Sequence, residues 1–331
     1  MCTNISFPRS GKNCSLISGR TWDWAERYPT KVTFVPRGQS FPAIERPEEI
    51  KWENELAFVG VSYQPADGRI VIFYDGINEA GLSASGLSLF CSEYPEPEPG
   101  KQLLYNNNLV SYVLSSFRTV EEAEIGLSQL SITRAVPDVS RNLHYIISDA
   151  SGSHLVVEFI DGKMKTYTTS LGVLTNDPPY EWHLANLSLY EQLSLTDKQN
   201  SLCGVELGGS GQLGIPGDPT PQSRFVRAEF FSKTRFYPRN IQQSIGEARQ
   251  ILQTLSVPAG TVYLREYPGI YSWTQWSVIR DHTNRSYYFY TDFNSNLYAI
   301  HLNELDLNSQ ELKQIDIRQP DWHQDLSGKL C

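Results

Sequence analysis

Strand-like segments in this chain come in blocks, and helix-like segments lie in pairs between the blocks. KVTFVP (31–36), ELAFVGVSY (55–63) and GRIVIFYDG (68–76) are rich in β-branched and aromatic residues and are bounded by Gly, Pro or Asp, so they predict strands. GLSASGLSLF (81–90) alternates small polar and apolar residues and predicts another. In a second block, LHYIISDA (143–150) and SHLVVEFI (153–160) meet at SGS, a hairpin signal, and are followed by KMKTYTT and LGVLTN. The last block, TQWSVIRD, RSYYFYTD and NLYAIHL, reads as an antiparallel meander joined by HTN and FNS. Helices are predicted over 102–117 from apolar spacings of three and four, and over 119–130, where a Thr precedes paired Glu. Three more are predicted at 180–193, in SRFVRAEFFSK, and at 241–255. The strict βαβ alternation of a parallel sheet is absent, and no linker or repeat divides the chain. The economical architecture is α+β, a four-layer αββα sandwich of two antiparallel sheets flanked by helices, formed by residues 1–331 as one domain.

Composition narrows the function classes. Of the 331 residues, 40% are hydrophobic and 20% charged, which excludes a disordered chain. The net charge of −9, with no Lys/Arg cluster, argues against a nucleic-acid partner. No run approaches the 18–20 or so apolar residues of a membrane helix, so no membrane insertion is expected. Five widely spaced cysteines (Cys2, Cys14, Cys91, Cys203 and Cys331) without a CxxC form neither a disulfide framework nor a zinc site. The N-terminus has no apolar leader core, so the expected location is the cytoplasm, or the periplasm if Met1 replaces a removed leader.

Familiar catalytic and metal patterns such as GxxxxGK[ST], HExxH and GxSxG are missing. His154 and Glu158 lie on a predicted strand, about 13 Å apart along it, and do not read as a metal pair. The informative feature is Met1-Cys2. Methionine aminopeptidases remove Met before a small residue, which would leave Cys2 carrying a thiol and an α-amine together. An α-amine titrates near 7.7–8.0 and a thiol near 8.5, so the amine can take the thiol proton directly or through one water. Taken alone, an N-terminal cysteine is weak evidence and reads more readily as an incidental buried residue, but other segments change the weighing. GRTWDW sets Arg20 three residues before Asp23; a cation beside a thiol stabilises the thiolate, and a carboxylate can hold the guanidinium or an α-ammonium. Asn176, ending GVLTN, has a side-chain amide able to donate to an oxyanion, or serves as a turn residue before Asp-Pro. Arg224 opens a helix after a Gly/Pro loop.

MCT, GRTWDW, DGINEAGL, LGVLTNDP followed by EWHLANL, and GIPGDPTPQSRFVRAEF occur here in one order. In that order the chain, from residue 1 to about residue 300, resembles the choloylglycine hydrolase family: bile salt hydrolases and penicillin V acylases, which are N-terminal nucleophile hydrolases. The resemblance implies the αββα fold, a linear amide C–N hydrolase, and Cys2 as nucleophile. It implies Arg20 beside the sulfur, Asp23 holding the free amine, Asn176 as an oxyanion donor, and Arg224 completing the polar network. The second oxyanion donor it implies is the backbone N–H of Ser88, where bile salt hydrolases tend to have Asn and one penicillin V acylase branch has Tyr. The reaction so implied passes through a thioester and needs no metal or organic cofactor.

The Asp23-Trp24 pair resembles the Gram-negative penicillin V acylase branch, some members of which also cleave N-acyl homoserine lactones. The expected partner is therefore a small-molecule N-acyl amide with an aromatic or fatty acyl group; the alternative is a conjugated bile salt. A reading of another class is a non-catalytic αββα binding protein. Trp24, Tyr63 and Tyr145 are the expected acyl-side contacts. Trp22 and Trp24 alternate with Asp23, and one of the two is expected to be core. The loop at 208–222, together with the resemblance, suggests a homotetramer.

Overall fold

The computed structural model describes residues 1–7, 15–42, 48–64, 71–134, 142–197, 201–202, 204–206, 208–234, 238–265 and 268–329. Cys14, Cys203, Cys331 and the start of the predicted strand at 68–76 lie outside these residues.

Two antiparallel sheets face each other. The first runs β1 (Cys2–Phe7), β2 (Ile17–Trp24), β17 (Tyr271–Asp281), β18 (Ser286–Thr291) and β19 (Tyr298–His301), with β16 (Val262–Tyr263) also paired to β17. In the second, β13 (Lys163–Thr169), β12 (His154–Ile160), β11 (Leu143–Ser148), β8 (Ser83–Ser88), β7 (Ile72–Asn78), β6 (Phe58–Tyr63), β3 (Thr30–Val35) and β20 (Lys313–Asp316) follow in that order. Short ladders join β4 (Ser40–Phe41) to β5 (Trp52–Glu53), β9 (Gln102–Tyr105) to β10 (Leu130–Thr133), and β14 (Ser201–Leu202) to β15 (Val205–Glu206). Helices α4 (Pro221–Thr234) and α5 (Ile241–Leu255) cover the first sheet, and α1 (Leu109–Ser116) and α2 (Val120–Ser128) cover the second. The short α3 (Tyr180–Leu187) packs beside α4. This is the expected αββα sandwich.

The period of two in the strands sorts side chains between the layers. Val59, Val61, Ile72, Tyr74, Ile146 and Val156 belong to the core shared with the first sheet and its helices. Their neighbours Phe58, Phe73, Tyr145, Ile147, Leu155 and Val157 belong to the core under α1 and α2. These strands are buried on both faces, which is why their sequences read as continuous apolar runs.

Three expectations change. The helix predicted over 102–117 begins only at Leu109, because Gln102–Tyr105 pairs in parallel with Leu130–Thr133, and the poor helix formers Asn106–Asn108 make a single 3₁₀ turn between. That pairing is non-local and leaves no periodicity signal. LGVLTN forms no named strand; its only described ladder contact is the bridge between Asn4 and Leu174. The predicted helix at 180–193 stops at Leu187 and continues as a 3₁₀ turn. Elsewhere α5 keeps its predicted bounds, and Thr119 caps α2 by accepting from the Glu122 N–H at 3.1 Å.

Gly60 and Gly76 sit opposite each other across β6 and β7. A Cβ at Gly60 would lie 2.0 Å from the Asp75 carbonyl oxygen and 3.0 Å from the Gly76 Cα. Backbone on both sides leaves nothing flexible to give way. Gly60→Ala should destabilise the protein by about 1–3 kcal/mol. Equilibrium urea unfolding checks this, and an unchanged midpoint would show that the two strands can separate at no cost.

Candidate active site

Strand β1 is hydrogen-bonded along both edges. On one side its register with β2 sets Cys2 opposite Trp22 and Asn4 opposite Arg20. On the other, Asn4 and Leu174 exchange both backbone bonds, at 2.8 and 3.1 Å. Following that bridge outward places residue 176 opposite Cys2. There the ladder changes character. The Asn176 carbonyl is turned away to the His183 Nε2–H at 2.8 Å, and the Asn176 side-chain Oδ1 accepts the Cys2 N–H at 2.7 Å in its place.

Directly paired residues share a face, so the Cys2 thiol points between the sheets with Arg20 and Trp22. Arg20 Nη2 lies 3.5 Å from Cys2 Sγ and donates to the Gly86 carbonyl at 2.6 Å. Arg20 Nη1 donates to the Tyr74 carbonyl and lies 3.7 Å from Asp75, and the guanidinium stacks over Trp276. A fully buried cation held by carbonyls on the facing sheet can be moved little. It is placed to stabilise negative charge on the sulfur.

Asp23 points to the opposite face of β2. Its Oδ1 accepts from the Thr274 hydroxyl, and its backbone exchanges hydrogen bonds with Met1 at 2.7 and 2.8 Å. Its Oδ2 is buried and, among the described residues, has no hydrogen-bond partner. With Met1 attached, the Cys2 nitrogen is an amide and cannot serve as a base. Removing Met1 would turn it into an α-ammonium on the residue paired with Trp22, next along β2 to Asp23, still beside Asn176.

Arg224, also fully buried, donates to Asn176 Oδ1 at 2.8 Å, to the Pro219 carbonyl at 2.9 Å, and to the Cys2 carbonyl and Thr3 hydroxyl. Desolvation lowers its pKa, while Asp23 and Cys2 act in the other direction. Two donors on Oδ1 fix the orientation of the Asn176 amide: the oxygen faces Cys2 and Arg224, and Nδ2 donates to the Ser88 carbonyl at 2.8 Å. The second Nδ2 hydrogen remains for another acceptor. The Leu89 N–H bonds Asn142, so Ser88, its neighbour in the ladder, turns its N–H away from β11. It therefore shares the edge from which the Gly86 and Ser88 carbonyls meet Arg20 and Asn176.

The structure thus gathers Cys2, Arg20, Asp23, Asn176, Arg224 and the Ser88 backbone. It also brings in Thr3 and Thr274, to which the sequence reading gave no role. Trp24 is half-buried beside Trp22, their centroids 6.5 Å apart, and Tyr63 is half-buried against Tyr28 at 5.3 Å. Trp22 and Trp24 share one face, as residues two apart on a strand must, and they differ in depth: Trp22 is core and Trp24 lies at the rim. Tyr145 does not join the site. It is wholly buried in the other core, and its hydroxyl donates to the Asn106 carbonyl at 2.9 Å. Its place on β11 has the opposite parity to the site-facing residues.

Cys91, the other free cysteine among the described residues, is exposed. Desolvation first, and then its hydrogen bond to Asp177, push its thiol up to about 12, which disfavours it as a competing nucleophile. Among the described residues no three His, Cys, Asp or Glu side chains group as metal ligands, and no helix is long and apolar enough to cross a membrane.

An αββα sandwich with a cysteine at the head of its first strand, facing a guanidinium and an amide, defines the class of N-terminal nucleophile hydrolases. Residues 2–315 match the profile of the linear amide C–N hydrolases, choloylglycine hydrolase family, and the chain belongs to that family. It is 29% identical to a bile salt hydrolase/transferase of Clostridium perfringens over 95% of this chain and 96% of the relative. It is 28% identical to a penicillin V acylase of Pectobacterium atrosepticum, over 88% and 78%. Among solved structures, a mutant conjugated bile acid hydrolase from Clostridium perfringens superposes with a TM-score of 0.82 at 27% identity, covering 95% of this chain and 96% of that one. The penicillin V acylase of Agrobacterium tumefaciens gives 0.79 at 30%, covering 95% and 91%. The protein is a hydrolase of linear amide bonds.

Three of the buried histidines have lowered pKa values: His183 and His154, lowered to about 4, and His282, lowered to about 3, in each case mainly by desolvation. In the unfolded chain histidine titrates near 6.5. Between those values the unfolded state binds more protons than the folded one, so stability rises with pH across the window and is lost as pH falls through it. The urea midpoint should therefore drop as pH is lowered from about 6.5 toward 4. A flat profile down to pH 5 would mean that these rings are not held neutral.

Proposed function

We propose that the mature protein is a cysteine N-terminal amidase that cleaves N-acyl amides with an aromatic or fatty acyl group, in the manner of penicillin V acylases. The observation that carries this reading is the convergence on Cys2 of Arg20 at the sulfur and Asn176 at the nitrogen, at 3.5 and 2.7 Å. Once Met1 is removed, the α-amine takes the thiol proton and the sulfur attacks the acyl carbon. The Asn176 Nδ2–H and the Ser88 N–H receive the oxyanion, and the α-ammonium protonates the departing amine. A thioester to Cys2 remains. Water gives a proton to the α-amine and attacks the thioester, the acid leaves, and the proton returns to the sulfur. Asp23 holds the α-ammonium, and Arg224 holds the Asn176 oxygen and the Cys2 carbonyl.

The aromatic acyl preference is supported by Trp22, Trp24, Tyr28 and Tyr63, which continue from the face of β2 that carries Cys2's pairing partner. Trp24 and Tyr63 form its accessible edge, and apolar acyl area buried there contributes at about 25 cal/mol per Å². Conjugated bile salts are the second reading. It is favoured by several relatives named as bile salt or conjugated bile acid hydrolases, at 26–29% identity over nearly the whole chain.

Primary-amine release from penicillin V, a long-chain N-acyl homoserine lactone and taurocholate, in parallel, tests both readings. Ring opening of a β-lactam frees no primary amine, so a lactamase cannot imitate the signal. Wild-type protein shown by mass spectrometry to lack Met1 should release amine fastest from penicillin V or the lactone, and Cys2→Ala should release none. Fastest release from taurocholate would move the assignment to bile salts, and equal release by Cys2→Ala would remove the nucleophile.

Asn176→Ala should lower kcat by roughly 10²–10³-fold, the cost of one lost oxyanion donor. Near-normal turnover by that variant would take Asn176 out of the mechanism.

A further inference from the structure

The segment 175–180 carries Asn176, and its backbone is held by groups that the mechanism above does not use. His144 Nε2 lies 3.1 Å from the Thr175 carbonyl. Both carboxylate oxygens of Glu158 accept from the Tyr180 N–H at 3.1 Å, at the first residue of α3. His144 Nδ1 and Glu158 Oε1 are 2.8 Å apart, and both side chains are wholly buried. The two ends of the segment are thus tied to one pair of side chains on adjacent strands of the second sheet. Between them, His183 Nε2 holds the Asn176 carbonyl at 2.8 Å.

The hydrogen-bond arithmetic of the pair is closed. A carbonyl only accepts, so His144 Nε2 donates to Thr175. Nδ1 and Oε1 must then share one proton, since two lone pairs facing each other at that distance would repel. A buried pair of this kind is tolerated only when its remaining polar groups are satisfied, and Thr175 and Tyr180 satisfy them. Its effect falls on the backbone to either side of Asn176. That residue needs this support, because it leaves the ladder: its carbonyl is turned to His183, and only its side chain faces Cys2 and the acyl site.

We propose that the buried His144–Glu158 pair is a positioning device that staples both ends of the segment 175–180, so that the Asn176 amide is held where the oxyanion forms. The proposal rests on the reading of Asn176 as an oxyanion donor. It predicts that shape and hydrogen bonding matter, and that net charge does not. In Glu158→Gln, the amide oxygen can still accept from Tyr180 and the amide nitrogen can donate to a neutral His144 Nδ1. Glu158→Ala unties the Tyr180 end and leaves His144, which holds the Thr175 end, without the partner that orients its ring.

The test is steady-state kinetics on the best substrate for Glu158→Ala, Glu158→Gln, Asn176→Ala and the double variant Glu158→Ala/Asn176→Ala, with thermal unfolding measured alongside. Glu158→Ala should lose roughly 10–100-fold in kcat, the scale of a small misplacement of a catalytic group, with little change in KM. Glu158→Gln should restore most of that loss. In the Asn176→Ala background, adding Glu158→Ala should change kcat by no more than about threefold, because the group being positioned is already gone. An equal loss in both backgrounds would mean general damage to the fold and would overturn the proposal, as would a normal kcat for Glu158→Ala. Should Glu158→Ala fail to fold, Glu158→Asp, which withdraws the carboxylate by one methylene, replaces it with the same expected pattern. If Asn176→Ala itself turns over normally, the oxyanion reading falls and the proposal falls with it; if Asn176→Ala is slow and Glu158→Ala is not, only the proposal falls.

Discussion

The site depends on the way strand β1 is gripped along both edges. A residue at the very start of a chain is ordinarily the least ordered part of a fold. Here six residues of β1 pair with β2, and on the other side Asn4 is bridged to Leu174. Cys2 is consequently as buried as the core around it. The ladder that immobilises Cys2 also delivers its neighbours. Register with β2 brings Arg20 onto the face of the thiol and sets Asp23 beside Met1, and the bridge brings Asn176 opposite Cys2. A one-residue slip in the first pairing would send Arg20 to the wrong face, and a slip in the second would move Asn176 away from Cys2.

Holding so many charges in a dry interior is costly unless each is met. Arg20, Arg224 and Arg280 are all buried, with Asp23 and Asp75 as the acids among them. Asp75 accepts from Arg280 at 2.9 Å, from Tyr287 at 2.9 Å and from Ser85 at 2.5 Å, and Arg280 also donates to Asn4 at 2.6 Å. This network lies one strand position beyond Arg20, spans both sheets and ties β1 to β7, β8, β17 and β18. It explains why a close contact between Gly60 and Asp75 matters to the site: Asp75 is the acid against which Arg20 is set. Arg20 Nε, Arg280 Nε and Asp23 Oδ2 are left without hydrogen-bond partners among the described residues, and Asp23 is the residue whose backbone pairs with Met1.

Much of this was legible in the sequence, for reasons that particular residues make clear. Hairpins and helices depend on local signals, so SGS, the Thr119 cap and the 3.6-residue period of 241–255 could be read directly. Cys2, Arg20, Asp23, Asn176 and Arg224 could be listed because they sit in segments whose order resembles a family. What could not be read was pairing between distant segments. The parallel ladder of 102–105 with 130–133 and the bridge from Asn4 to Leu174 close loops that leave no periodicity. Tyr145 shows a parity error: its neighbours His144 and Ile146 face the inter-sheet side, and Tyr145 faces away from it. Glu158 shows another kind. Along its own strand it is weighed only against His154, with which it does not read as a pair, whereas the register of the predicted hairpin, which sets Tyr145 opposite Val157, brings His144 across from it.

Asn176 gathers these constraints into one residue. Its side chain takes the place of a backbone carbonyl in pairing with Cys2, accepts from Arg224, donates to Ser88 and keeps one hydrogen for chemistry. A side chain can do this only if its own backbone is removed from the ladder and held elsewhere, since a regular strand would place the carbonyl at Cys2 and point the amide away. The buried His144 and His183 behind it supply that hold. A flexible loop could carry the same asparagine and bind the same partners for part of the time. A fixed one presents its donor before charge develops, which is the condition under which a hydrogen bond lowers a barrier instead of merely following the reaction.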